Sequence, residues 1–127
     1  KRSIAANPNY IVSHYNLGRD YLILGWYDYA IQELQKAVKL ISNFAESHNN
    51  LGIAHWYKGQ IIQAEFDFKA ALFYKPKLAD AHYNLGILYA ASEKYQKAAE
   101  CFMQALSAMP ELEPAKRRLE RIQGKHR

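Results

Sequence analysis

The chain has 127 residues, half of them apolar, which is the size of one ordinary domain with enough apolar surface to bury a sizeable core. No run approaches the roughly 18 to 20 consecutive apolar residues that a bilayer span needs, and the opening stretch from Lys1 to Pro8 has no apolar segment long enough for a signal peptide. The formal charge of +5 raises nucleic acid or an anionic membrane surface as partners, but basic and acidic residues balance between Ile11 and Pro110, and the excess sits at the two ends.

Those ends are Lys1 and Arg2 on one side, and Lys116, Arg117, Arg118, Arg121, Lys125 and Arg127 on the other. A basic end is a weaker signal than a basic groove, so nucleic acid is not the expected partner. The chain opens on a lysine with no initiator methionine and is read as a piece of something longer. Cys101 is the single cysteine, which rules out an internal disulfide and is compatible with a reducing, cytoplasmic setting.

Set against itself at an offset of 34 residues, the sequence matches without slipping by a residue. Residues 1–10 read as the end of a preceding second helix, with Pro8 in a proline slot that recurs at Pro76 and Pro110 and is taken by Ser42 in between. The first unit, 11–44, carries Leu17-Gly18, Tyr21, Ala30, Leu34 and Ala37. The second, 45–78, repeats the pattern as Leu51-Gly52, His55, Ala64, Phe68 and Ala71. The third, 79–112, repeats it again as Leu85-Gly86, Tyr89, Ala98, Phe102 and Ala105. Residues 113–127 continue in register but place Glu120 after Leu119, and read as a basic capping helix and tail.

Within each unit apolar residues recur at three- and four-residue steps, stop at Gly25, Gly59 or Glu93, and resume, which predicts two helices around a short turn. Glycine suits a left-handed C-cap there. Glu93 in that conformation costs about 1 kcal/mol, so a differently shaped third turn is expected. Gly18, Gly52 and Gly86 fall inside helices at about 1 kcal/mol each relative to alanine, which implies close approach of a neighbouring helix. Ala30, Ala64 and Ala98 are the expected small partners in that contact.

This series of Leu-Gly, Tyr, Ala, Phe and Pro at fixed offsets resembles the tetratricopeptide repeat over three whole units. The resemblance implies an all-α fold, a right-handed superhelical solenoid of helix-turn-helix repeats. Its departure is the opening large residue, often tryptophan in the family and here His14, His48 and His82.

No catalytic set emerges: there is no phosphate-cradling glycine loop, no HExxH or CxxC, and Cys101 sits beside Phe102 in a repeated helix as a packing residue. The three histidines in register lie on helices roughly 8 to 10 Å apart. A zinc ion needs ligands about 2 Å away. Packed, hydrogen-bonded rings are therefore expected, with no metal and no cofactor, and the protein is read as non-enzymatic. His55 and His126 have no obvious partners.

The first helix of each unit is apolar on two faces, one for the core and one left over, and such a helix requires two partners. In the resembled family the second face lines a concave groove that binds a protein or peptide. The residues assigned to it here are Tyr15, Asn16 and Arg19, then Asn49, Asn50, Ile53 and Trp56, then Tyr83, Asn84 and Ile87. Asn16, Asn50 and Asn84 form a ladder of amides that offer both donor and acceptor to an extended backbone. Trp56, Tyr57, Leu22 and Ile23, near the helix ends, fit either the groove or packing between repeats. The carboxylate clamp of some relatives corresponds to Tyr15 and Arg19, Asn50, then Asp80 and Asn84, and only Asn50 matches it. A homo-oligomer built on the open surface around Ile4 and Tyr10 is the alternative function.

Overall fold

The protein, described here by a computed structural model covering residues 8–125, contains seven helices among those residues and no strand. They are α1 (Pro8–Leu24), α2 (Tyr27–Leu40), α3 (Ala45–Tyr57), α4 (Ile61–Tyr74), α5 (Ala79–Ala91), α6 (Tyr95–Ala108) and α7 (Glu113–Lys125). Turns too short for anything but antiparallel neighbours join the members of each pair, and every pair packs on the next to give an all-α right-handed solenoid.

Burial separates the two kinds of helix. α3 buries eight residues, among them Ala45, Leu51, Gly52 and Ala54, whereas α2 buries only Ala30, Leu34 and Ala37. The first helices also lie against one another, α1 with α3 and α3 with α5, so they form the inner layer. The core is made where Leu34, Phe68 and Phe102, all essentially inaccessible, cross the glycines of the same unit.

A Cβ added at Gly52 would stand 2.6 Å from Phe68 Cε1, and one at Gly86 would stand 2.7 Å from Phe102 Cε1. The glycines are thus explained by a flat ring lying on the helix backbone. This corrects the expectation that Ala30, Ala64 and Ala98 are the partners: those alanines are fully buried, but the residue four positions later makes the close contact.

The third turn also differs from expectation. Glu93 takes φ 62°, in the left-handed region with Gly25 at 82° and Gly59 at 78°. The same backbone bond closes all three turns, from Trp26 to Tyr21, Gln60 to His55 and Lys94 to Tyr89, at 2.8 to 2.9 Å. Packing of α5 on α6 dictates the turn, and glutamate follows at a local cost.

Pro8 opens α1 where the sequence placed it at the end of a preceding helix, so residues 8–10 run into the first unit's own helix. Proline is stable in a first helical turn because its missing N–H would have had no partner there. Residues 1–7, with Ile4, lie outside the described residues, as do His126 and Arg127. α1 otherwise presents an open flank: Leu17 is 39 % exposed, against 6 % and 5 % for Leu51 and Leu85, because no described helix packs on it.

Candidate functional site

The inner face is organised by a hydrogen bond that recurs between side chains 35 residues apart. Asn50 Nδ2 donates to Tyr15 Oη at 3.2 Å, Asn84 Nδ2 donates to Asn49 Oδ1 at 3.1 Å, and Arg118 Nε donates to Tyr83 Oη at 3.2 Å. Each bond ties one first helix to the next at the same register. The row therefore has a fixed spacing set by helix stacking, and its polar atoms point along the face.

Tyr15 is half-buried, its ring edge-on to Phe44, and burial raises its phenol pKa while the neighbouring Arg19 guanidinium opposes the shift. Arg19 is exposed and lies 5.8 Å over the Tyr15 ring. Asn16 is exposed with no partner among the described residues, whereas Asn50 and Asn84 are half-buried and each gives one N–H to its neighbour. Each keeps a second N–H and a carbonyl oxygen. Asn49 is placed differently from its assignment as a lining residue: it is 7 % exposed, and the acceptor role toward Asn84 accounts for its burial.

Ile53, Trp56, Tyr83 and Ile87 are half-buried and pack on the rim of the main core, leaving part of each side chain open on the inner layer. The residues near helix ends divide. Leu22 and Trp56 pack between repeats, while Ile23 and Tyr57 stay largely exposed, Tyr57 stacking on Tyr27 at 5.2 Å.

The histidines are held individually. His48 Nε2 meets Ser42 O at 2.6 Å and His82 Nε2 meets Pro76 O at 2.8 Å, a repeated lock between helix and preceding loop, while His14 Nδ1 pairs with Glu33 Oε1 at 2.6 Å. No group of three candidate metal ligands occurs among the described residues.

His55 has a partner that the sequence did not reveal: Nδ1 lies 2.5 Å from Asp67 Oδ2, both side chains buried. Burial pushes the Asp67 carboxyl up and the imidazole contact opposes it. His55 belongs to α3 and Asp67 to α4, so only the antiparallel pairing brings them together. Burial pushes the Cys101 thiol up to about 11, which favours its protonated form at neutral pH.

Profiles of the tetratricopeptide repeat match residues 45–78 and 79–112, and a TPR-repeat profile matches 18–59. Comparison with curated proteins finds no match. Among solved structures, MamA is 28 % identical with a TM-score of 0.85, the similarity covering 97 % of this chain and 72 % of that one. The first TPR of Spaghetti (RPAP3), bound to an HSP90 peptide, is 20 % identical with a TM-score of 0.88, covering 97 % and 98 %. The Yersinia enterocolitica type III secretion chaperone SycD, in complex with a peptide of the translocator YopD, is 15 % identical with a TM-score of 0.88, covering 95 % and 98 %.

Proposed function

The chain belongs to the tetratricopeptide-repeat family, and from that premise we propose that it is a non-enzymatic scaffold that binds a peptide or protein segment along its inner face. The observation that carries this reading is the row of bonds from Asn50 to Tyr15, Asn84 to Asn49 and Arg118 to Tyr83. It holds the half-buried Tyr15, Asn50, Tyr83, Asn84 and Arg118 in a preformed register. Two solved structures of the same fold hold peptides, which favours the same class of ligand here.

In this reading Tyr15, Ile53, Trp56, Tyr83 and Ile87 give apolar contact. Asn16, Asn50 and Asn84 meet the ligand backbone with the amide atoms that the repeat contacts leave over, Arg19 supplies a cation at one end, and Asn49 fixes Asn84. Preorganisation lowers the entropy lost on binding. The test is affinity capture from the source cell's lysate with wild type and with Tyr15→Ala, Asn50→Ala, Tyr83→Ala combined, after circular dichroism establishes that the variant folds. Truncating a buried aromatic anchor commonly costs about 2 kcal/mol, roughly thirtyfold in affinity. An unchanged set of partners would rule the inner face out.

Self-assembly through the open flank of α1 is the second reading, and one residue weighs against it. Asp20 stands exposed at the position where the next two units bury Ala54 and Leu88. A second copy stacked there as another repeat would bury a carboxylate without a partner. Light scattering across a concentration series separates the two readings, a rise in mass with concentration favouring assembly.

A further inference from the structure

The three junctions between successive first helices serve as internal controls for one another. At the second junction Trp56 and Tyr57 end α3, in register with Asn84 and Ile87 of α5; Trp56 packs with Ile87 on the rim of the main core, while Tyr57 is turned to Tyr27. At the third, the residues in register are Ala90 and Ala91 on α5, facing Arg118 and Arg121 on α7. Two large aromatic side chains have become alanines, and an amide and an isoleucine have become guanidinium groups.

At this junction lies a cavity of about 270 Å³, walled by Ala90, Ala91, Tyr95, Arg118, Arg121 and Ile122, with Ile87 and the buried Phe102 ring contributing to its apolar lining. Its volume suits a side chain or two. Arg118 is half-buried, donates through Nε to Tyr83 and keeps its terminal nitrogens. Arg121 is exposed, one turn further along the same face. Neither has a carboxylate partner among the described residues, whereas the adjacent Arg117 and Lys116 both reach Glu113. Through its bond to Tyr83, Arg118 links the wall of this cavity to the inner face.

Building on the groove reading above, we propose that this end of the groove recognises an acidic side chain next to an apolar one in the bound segment. The aspartate or glutamate is held between Arg118 and Arg121, and its apolar neighbour fills the space that Ala90 and Ala91 leave open. Two neighbouring guanidinium groups without a carboxylate partner among the described residues favour an anion by charge complementarity. The apolar walls require that the anion arrive with an aliphatic or aromatic companion. The asymmetry also orients the segment, since among the described residues Arg118 and Arg121 lie at this end of the groove alone.

The test uses a synthetic array of short random peptides with amidated C-termini, probed with wild-type protein, with Tyr15→Ala, with Arg121→Gln, with Arg118→Gln and Arg121→Gln together, and with Ala90→Trp. Arg121 is exposed and unpartnered, so its substitution does not threaten folding, and circular dichroism checks the others. Retained peptides are expected to carry glutamate or aspartate beside leucine, isoleucine or phenylalanine. The double glutamine variant is expected to weaken these peptides about tenfold and leave neutral peptides unchanged, and Ala90→Trp is expected to weaken them by refilling the cavity.

Peptides that respond to Tyr15→Ala but show no acidic preference and no response to the glutamine variants would overturn this inference and leave the groove reading standing. A lack of peptides sensitive to Tyr15→Ala would overturn both. Binding confined to a parallel array with free carboxyl ends would overturn the side-chain assignment. Displacement of the acidic peptides by a short single-stranded oligonucleotide as readily as by a second acidic peptide would also overturn it, in favour of a general polyanion site.

Discussion

Glu93→Gly is expected to stabilise the protein. Glu93 is the one described non-glycine residue with a positive φ, at 62°, and its exposed side chain makes no ion pair or hydrogen bond with the other described residues that the substitution would remove. A left-handed backbone costs an L-residue about 1 to 2 kcal/mol. Glycine escapes that strain but returns roughly 0.5 to 1 kcal/mol by widening the unfolded ensemble. The net gain is about 0.5 to 1 kcal/mol, which for a domain of this size raises the thermal midpoint by about 3 °C. The fold supplies its own control in Gly59, at φ 78° with nothing within 4 Å of an added Cβ. Gly59→Glu changes only the backbone term and is expected to lower stability by a similar amount. Urea melts followed by circular dichroism measure both. Unchanged midpoints for the two variants would refute the claim that the turn, rather than the residue in it, sets the backbone conformation.

Two further outcomes follow from packing and charge. Gly52→Ala gains about 1 kcal/mol of helix propensity but drives a methyl group to 2.6 Å from the Phe68 ring, which is 2 % exposed and has nowhere to move. A net loss of about 1 to 2 kcal/mol is expected in the same melts. Glu65 accepts a hydrogen bond from Tyr89 Oη at 2.7 Å and pairs with Lys69 at 3.0 Å; these contacts hold its carboxyl below the usual range. A depressed carboxylate contributes stability that is present above its unfolded pKa and is lost as pH falls through the folded value. Glu65→Gln is therefore expected to cost about 1 kcal/mol near neutral pH and almost nothing in acid below the carboxylate range, read from melts at both conditions.

The repeat period, the paired helices, the places where they stop and the absence of an apolar membrane-length run were all legible in the residues, because each depends on periodicity along one chain. The fixed offset linking Leu17-Gly18, Leu51-Gly52 and Leu85-Gly86 carried the fold class, and the doubly apolar first helices placed the candidate site on them. Contacts between helices were not legible. The ring over Gly52, the His55–Asp67 pair and the bond from Asn84 to Asn49 join residues whose distance depends on how helices cross and stack. Burial of Asn49 and the left-handed backbone of Glu93 have the same origin, since packing at helix junctions outweighed local preference in both. The cavity beside Arg118 also required the tertiary structure. The sequence contains the alanines and the arginines, but only packing α7 on α6, with Arg118 reaching Tyr83 of α5, brings them to the same cavity.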